Sequence, residues 1–275
     1  MNKFTNLVTR TCSGVVFVTV VIGSILLGAY TCAAMLVVVI VWTMLEFYDI
    51  VIKDRVRVSK FFGVSSGVLL FVAVFFYVQG IFPDRVFLLL IPLIITVFVS
   101  QLYLKELNSF RAIAYTVVGV VYIALPVAMF VGLMFPYHDG NYTPELLLGF
   151  FILLWANDTF AYITGISFGR KRLFERISPK KSWEGFFGGL ICTVLLSLLV
   201  AHWLKILPFY HWIVVAVIIV VFGVYGDLVE SLLKRNLKIK DSGRFLPGHG
   251  GILDRFDSVL LAAPMVYFYL KMFVF

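Results

Sequence analysis

Nine long apolar runs, separated by short polar segments, constrain this chain more than any other feature. The sequence is 61% hydrophobic and only 14% charged, whereas about 25% of the residues of a soluble domain are charged. Several runs reach the roughly 20 residues that a helix needs to cross a bilayer. Because the runs do not alternate apolar and polar residues, they predict helices and not the strands of a barrel. The sequence therefore predicts an all-α, polytopic transmembrane helical bundle with about nine spans.

The predicted helices fall into two groups. They cover residues 12–29, 32–52, 61–82, 85–104, 112–136, 145–168, 184–206, 211–233 and 254–274. Residues 1–136 form the N-terminal membrane helices, and residues 137–275 form the C-terminal membrane helices, in which most polar motifs lie.

The basic residues predict the orientation of these helices. If the N-terminus is cytosolic, 20 of the 23 Lys and Arg residues lie in the N-terminal segment and in the second, fourth, sixth and eighth loops, as the positive-inside rule requires. The net charge of +8 is then explained by the cytosolic face and anionic lipid. The sequence shows no nucleic-acid recognition module, so we expect no nucleic-acid partner. Chemistry is expected at the cytosolic face, where the two longest polar loops lie.

The eighth predicted helix ends in "GVYGDLVESLLKR", which places four polar side chains on one face. Asp227, Glu230, Ser231 and Lys234 lie at positions i, i+3, i+4 and i+7. An ion pair between Glu230 and Lys234, with no further role, is an alternative for those two residues. Asp227 lies deeper in the apolar run, and an ionisable group at that depth is a functional candidate.

The segment "HGGILDRFDS" opens the ninth predicted helix and brings two more acids. Asp254 and Asp257 are three residues apart and share a face; the preference for acids in a first helical turn is an alternative explanation. Three carboxylates that converge across the hairpin would repel one another unless a cation lies between them. Oxygen ligands suit Mg²⁺, so the sequence predicts a metal site formed by Asp227, Asp254 and Asp257.

The linker "KIKDSGRFLPGHGG" joins these two helices and is rich in glycine and positive charge. Glycines permit positive φ and close backbone approach, and successive amides that lead into a helix N-terminus form an anion-binding turn. The basic side chains are Lys238, Lys240, Arg244 and His249. Together with the acids on both flanks, the linker predicts a site for phosphate and metal.

Two clusters upstream carry further polar groups. "LLWANDTFAYITG" places Asn157 and Asp158 inside the sixth predicted helix, where hydrogen bonding between helices is the alternative to a binding role. "RISPKKSWEGFFGG" lies in the sixth loop, where Ser178 and Ser182 can cap helices. Lys180 and Lys181 either bind phosphate or only supply positive charge at the cytosolic face.

Two acids of the second predicted helix, Glu46 and Asp49, also lie deep in an apolar run. Lys53 follows Asp49 by four residues, so a pair at the helix end without a function explains these charges at least as well as a site does.

The stretch from Ser231 to Asp257 resembles the signature of phosphatidate cytidylyltransferases, also called CDP-diacylglycerol synthases. The matching positions are Ser231, Lys234, Arg235, Lys240, Asp241, Gly243, Leu246, Pro247, His249, Gly250, Gly251, Asp254, Arg255 and Asp257. "NDTFAYITG" and "SPKKSWEG" resemble two further blocks of the family, in the same order. The layout, which shows no large N-terminal extension, is similar to that of the bacterial type.

The resemblance implies an enzyme that transfers the cytidylyl group of CTP to phosphatidic acid, giving CDP-diacylglycerol and pyrophosphate for phospholipid biosynthesis. It implies Mg²⁺, in some members a second, monovalent cation such as K⁺, and a homodimer. The expected location is the bacterial inner (plasma) membrane, with the active site facing the cytosol.

The residue pattern and the resemblance together give a set of expected site residues. The expected catalytic residues are Asp227, Ser231, Lys234, Arg235, Lys240, Asp254, Arg255 and Asp257. The expected substrate-binding residues are Asn157, Asp158, Ser178, Lys180, Lys181, Trp183, His249, Gly250 and Gly251.

Three other functional classes explain less of the sequence. A transporter or channel shares the intramembrane acids but typically has a second, inverted copy of the broken segment. A CDP-alcohol phosphotransferase should carry an Asp-x-x-Asp-Gly-x-x-Ala-Arg motif, which is missing here, and a lipid kinase of the dolichol or phytol type would not need the full signature. A purely structural scaffold gives no account of three facing carboxylates beside a basic, glycine-rich turn.

Overall fold

The computed structural model describes residues 3–52, 58–103, 108–137, 140–239, 242–243 and 250–275, with side chains from residue 11 onward. The helices are α1 (Lys3–Leu27), α2 (Ala29–Ile52), α3 (Lys60–Val78), α4 (Leu90–Tyr103), α5 (Ser109–Gly119), α6 (Leu125–Met134), α7 (Pro144–Phe168), α8 (Trp183–Leu204), α9 (Phe209–Asn236) and α10 (Leu253–Phe273). Two short strands, β1 (Arg172–Phe174) and β2 (Ser178–Ser182), lie between α7 and α8.

The predicted helices all have a counterpart among the described residues, because α5 and α6 form one continuous run. Within the described ranges, eight helical segments are long and apolar enough to cross a membrane, and α1 has a shorter apolar part, Thr11–Leu27. The fourth span begins as a 3₁₀ helix, Asp84–Leu89, before α4. The prediction of an all-α, polytopic membrane protein is confirmed. The orientation of the N-terminus stays a prediction.

The run from α5 to α6 is interrupted by a π-helical turn, Val120–Ala124. Pro126 follows two residues later, at the second position of α6. A proline has no N–H to donate to the carbonyl four residues earlier, and its ring clashes with that carbonyl. A local widening of the helix relieves this clash and keeps the chain helical across the span.

The first compact unit comprises Met1–Tyr142 and Asn236–Phe256. Helix α2 is central to it and packs against α1, α3 and α5. The buried ring of Tyr48 lies against Gly63 of α3 and Gly119 of α5, and its hydroxyl donates to the carbonyl of Thr116 at 2.9 Å. Small residues let helices approach closely in a membrane, so these glycines fix the position of α2 within the unit.

The second unit comprises Thr143–Arg235 and Asp257–Phe275. Helices α7 and α8 are its closest pair, and Gly185, Gly188 and Gly189 of α8 lie directly against α7. On α9, Trp212 is buried against Gly149 of α7. The same principle of close approach at glycines therefore organises this unit.

The sixth loop forms an antiparallel hairpin of β1 and β2, which the sequence did not predict. Ser182 caps α8 as predicted, because its side chain accepts a hydrogen bond from the N–H of Gly185 at 3.1 Å. Ser178 begins β2, so the prediction that it caps a helix is wrong. The hairpin continues directly into α8, and this fixes where its lysines stand relative to the helices of the second unit.

Candidate active site

The site is built where α9 crosses α10 at Gly226. The backbone of α10 lies so close that a Cβ on Gly226 would be 2.9 Å from the Cα of Ser258 and closer still to the carbonyl of Asp257. Only a glycine permits this approach. Asp227 and Asp257, which neighbour the crossing, are thereby brought together as the sequence predicts.

Three carboxylates converge next to this crossing. Asp227, Glu230 and Asp257 each offer an oxygen, and these oxygens lie within 4.8 Å of one another. The side chain of Glu230 is fully buried, and Asp227 and Asp257 are half-buried. Two of the three predicted ligands are thus in this cluster. The third position is taken by Glu230, whereas Asp254 belongs to the other compact unit.

Two lysines balance part of this negative charge. The Nζ of Lys181, on β2, lies 2.7 Å from Oδ2 of Asp227. Lys234 pairs with Glu230, one helical turn away, so the predicted alternative of an i, i+4 pair does form, but within the cluster. Among the described residues, three carboxylates face two ammonium groups if all five groups are ionised. The remaining negative charge favours a further cation.

Two side chains near the end of α9, Ser231 and Arg235, contact Asp227 and the hairpin. Ser231 donates a hydrogen bond from Oγ to Oδ1 of Asp227 at 3.1 Å. Arg235 donates from Nε to the carbonyl of Ile177 at 3.3 Å, which joins the end of α9 to the turn of the hairpin. Ser231 therefore orients Asp227, and Arg235 fixes the end of α9 to the hairpin.

The predicted residues of α7 differ in their surroundings. Asn157 is 2% exposed, and its Oδ1 has no hydrogen-bond partner within the described part of the chain. It lies against Gly189, where a Cβ would be 2.8 Å from that oxygen. Asp158 is exposed, and its charge acts on Asp257. An unsatisfied buried amide is costly, so Asn157 stands out as a group that a bound polar molecule could satisfy.

The hairpin residues other than Lys181 lie more openly. Lys180 is exposed and Ser178 is half-buried. Trp183, the first residue of α8, is 44% exposed and stacks on Phe187 with 5.9 Å between ring centroids. Lys180 and Lys181, adjacent in sequence, thus have different surroundings: Lys181 contacts Asp227 of the acidic cluster and Lys180 is exposed.

The amides around the signature linker are engaged by an acid of the protein itself. Oδ2 of Asp254 accepts hydrogen bonds from the N–H groups of Gly251 at 2.8 Å and Ser242 at 3.2 Å. Gly250 has φ +85°, the left-handed conformation that the glycine-rich linker predicts. Lys240 and His249 lie outside the described residues. In this structure, therefore, these two amides bind a side-chain carboxylate.

Comparison with known sequences identifies the relatives of this chain. A profile described as the cytidylyltransferase family matches residues 8–273. The chain belongs to this family. It is 34% identical over 200 residues to a phosphatidate cytidylyltransferase of Bacillus subtilis (strain 168), which is 72% of each chain. It is 39% identical over 163 residues to one of Staphylococcus epidermidis, which is 59% of this chain and 60% of the relative. A Staphylococcus aureus (strain COL) relative matches over 164 residues with the same identity and shares. The matches thus span less than two thirds of these two Staphylococcus relatives.

The sequence left two acids of this cytidylyltransferase-family chain open between a structural and a functional explanation. Glu230 was either one half of an ion pair with Lys234 or a functional group, and Glu46 was either a charge near a helix end or part of a site. The structure puts Glu230 in the carboxylate cluster, and it makes Oε2 of Glu46 the acceptor for the N–H of Leu253 at 2.9 Å. Both are acids inside apolar runs, and that signal was present in the sequence.

Proposed function

We propose that the protein transfers the cytidylyl group of CTP to phosphatidic acid, giving CDP-diacylglycerol and pyrophosphate. Membership of the cytidylyltransferase family supports the reaction class, and the names of the relatives support the substrates. The structural observation that carries the proposal is the cluster of Asp227, Glu230 and Asp257 with Lys181 beside it. Such a cluster suits a reaction between two polyanions.

The reaction needs no activated protein nucleophile. A phosphate oxygen of phosphatidic acid attacks the α-phosphorus of CTP, and the bond from that phosphorus to the oxygen bridging to the β-phosphate breaks. Pyrophosphate leaves with the bonding electrons. The protein's task is to bring two negative groups together and to stabilise the charge that develops. Lysine and arginine side chains and a bound cation can do this without covalent chemistry.

We propose Asp227, Glu230 and Asp257 as the residues that hold Mg²⁺. The donor set supports this assignment, because it consists of carboxylate oxygens alone, close enough to share one ion. Bound Mg²⁺ would neutralise phosphate charge and stabilise the leaving pyrophosphate. Glu230 replaces Asp254 from the sequence-based prediction, because Oδ2 of Asp254 is engaged by two backbone amides. A second, monovalent cation such as K⁺ stays a prediction.

The remaining side chains would bind and orient the substrates. Ser231 and Lys181 hold Asp227 from two sides. Exposed basic side chains near the cluster are available to phosphates; they are Lys180 and Arg235. For Arg255, Lys240 and His249, phosphate binding remains the expectation from the signature. For Asn157, Asp158, Ser178 and Trp183, we propose contacts with CTP, and the unsatisfied Oδ1 of Asn157 supports the first of these.

The cellular setting follows from the same reasoning. The eight long apolar helices indicate an integral membrane protein. We propose that its membrane is the bacterial inner (plasma) membrane and that the carboxylate cluster faces the cytosol, where CTP is found and where the positive-inside rule puts the sixth and eighth loops. We also propose a homodimer, which the family resemblance implies.

A product assay tests this proposal. Purified protein in mixed micelles receives phosphatidic acid, CTP labelled at the α-phosphate and Mg²⁺, and label in the lipid phase is measured. Wild type should form labelled lipid only with Mg²⁺. Asp227→Asn should lower kcat/KM by at least about 100-fold, because a metal ion supplies several kcal/mol of charge stabilisation. Asp84→Asn, which changes an exposed acid ahead of α4, should behave as wild type.

The alternative outcomes separate the parts of the proposal. No labelled lipid from folded wild-type protein refutes the reaction. If labelled lipid forms and Asp227→Asn is as active as Asp84→Asn, the reaction stands and the assignment of Asp227 as a metal ligand is wrong.

A further inference from the structure

We propose that Glu46 is a positioning residue that holds residues 242–243 and 250–252, in the loop between α9 and α10, in place. This signature loop comprises residues 237–252, of which 237–239, 242–243 and 250–252 are described. The role concerns the fold of the loop; only its effect on turnover rests on the proposed function.

Glu46 contacts the two described parts of the signature loop that flank residues 244–249. Its side chain, on α2, is 8% exposed. Oε2 accepts a hydrogen bond from the N–H of Leu253, the first residue of α10, at 2.9 Å, and a longer one from Oγ of Ser242 at 3.4 Å. A single carboxylate oxygen therefore ties residue 242 to the start of α10.

Two glycines of the loop leave room for this carboxylate. A Cβ on Gly243 would lie 2.5 Å from Oε1 of Glu46, and a Cβ on Gly251 would lie within 3.0 Å of Oε2. Cβ atoms essentially never approach another heavy atom so closely. The backbones of Gly243 and Gly251 thus pack directly against Glu46, and its carboxylate fills the space that side chains would otherwise occupy.

The backbone amides near the start of α10 favour an acceptor oxygen at this position. The first amides of a helix have no partner within it, and they carry partial positive charge. Glu46 satisfies the first amide of α10, and Asp254 satisfies those of Gly251 and Ser242. A buried acid without such partners would be strongly unfavourable. Two carboxylates, one from α2 and one from α10, therefore bind residue 242 and residues 251–253.

Asp49, the other acid near the end of α2, forms an ion pair with Lys60 of α3. Its side chain is largely exposed. The predicted partner, Lys53, lies outside the described residues. Asp49 thus has the role that the sequence suggested for both acids, whereas Glu46 faces the loop. Asp49 is the matched control for Glu46.

Backbone hydrogen exchange in detergent micelles, read by mass spectrometry, tests the role directly. Glu46→Gln keeps the volume but removes one acceptor oxygen and the charge. We expect the amides of 242–243 and 250–256 to exchange about 10- to 100-fold faster, the range for loss of a hydrogen bond to a charged group. Exchange in α7 and α8 should not change, and Asp49→Asn should match wild type throughout.

A residue that only fills space would give a different result. If Glu46→Gln exchanges like wild type in 242–256, the positioning role is refuted. If Glu46→Gln does not fold, Ser242→Ala removes the hydroxyl donor from the loop side, and exchange at 242–243 should rise about two- to fivefold; unchanged exchange in this variant also refutes the proposal.

Turnover separates this inference from the proposed function. If wild type forms labelled CDP-lipid, Glu46→Gln should lower kcat at least about tenfold with little change in the KM for CTP, because Asp257 lies one turn beyond Leu253 on α10. Unchanged kcat despite faster exchange would overturn the link to catalysis. If wild type forms no labelled lipid, the proposed function fails, and the exchange experiment still decides the role of Glu46.

Discussion

Replacing Lys181 by Met tests the charge balance of the carboxylate cluster. The Nζ of Lys181 lies 2.7 Å from Oδ2 of Asp227, and the two side chains are 25% and 34% exposed. Met retains most of the apolar length of Lys and removes the charge. Lys180, its neighbour on β2, is exposed, so Lys180→Met is the matched control for the same change in composition.

The structure sets the size of the expected effect. At 2.7 Å, the gross Coulomb attraction is ~6 kcal/mol with an effective dielectric constant of ~20, but desolvation offsets much of it. Removing one partner costs about 3–5 kcal/mol in a fully buried pair, and an exposed pair contributes about 0–1 kcal/mol. For this partly exposed pair we expect a loss of about 1–3 kcal/mol. For a chain of 275 residues, the unfolding midpoint should then fall by about 2–5 °C.

The response to Mg²⁺ has a predicted sign. Without Lys181, three carboxylates face one ammonium group, so a divalent cation should stabilise the variant more than it stabilises wild type. The assay is thermal unfolding in detergent, with and without Mg²⁺, for wild type, Lys181→Met and Lys180→Met. A Lys181→Met midpoint equal to that of Lys180→Met, together with the same Mg²⁺-dependent shift, would show that Lys181 does not balance this cluster.

Two further substitutions test the packing that forms the site. Gly226→Ala should cost about 1–3 kcal/mol of stability and most of the turnover, because its Cβ would push α10 away from α9. Gly223→Ala is the control, because the atom nearest to a Cβ there is a flexible leucine methyl group at 3.3 Å. Thermal unfolding and product formation that are equal for the two variants would contradict this. Ser182→Ala should lower stability by about 0.5–2 kcal/mol through loss of the α8 cap. Thr143→Ala, at a helix start without a side-chain cap bond, should have little effect. Thermal unfolding compares the two variants, and equal midpoints would argue against the cap.

The helices and two of the three acids of the carboxylate cluster could be predicted from the sequence. Each span could be recognised because a bilayer requires about 20 apolar residues in succession, and this is a local property. The spacing of polar residues assigned Asp227, Glu230, Ser231 and Lys234 to one face of α9, because the helical period is fixed. The structure agrees, and both Ser231 and Glu230 lie near Asp227.

The hairpin between α7 and α8 could not be predicted in the same way. The segment is short and rich in basic residues. An irregular loop with positive charge at the cytosolic face was enough to explain this composition. Pairing of Arg172 with Ser182 depends on how the chain turns back on itself. That turn carries Lys181 to Asp227 across more than 40 residues of sequence, and no periodicity reports such a contact.

The acids inside apolar runs show which features the local sequence determines and which depend on tertiary packing. Depth in an apolar run already marked Glu46, Asp227 and Glu230 as costly groups that need partners. The partners themselves depend on which helices cross, and Glu46 and Leu253 are 207 residues apart in the chain. Helix period and apolar length act over a few turns, whereas a hydrogen bond between distant segments exists only after close packing at glycines such as Gly226 and Gly251 has brought the backbones together.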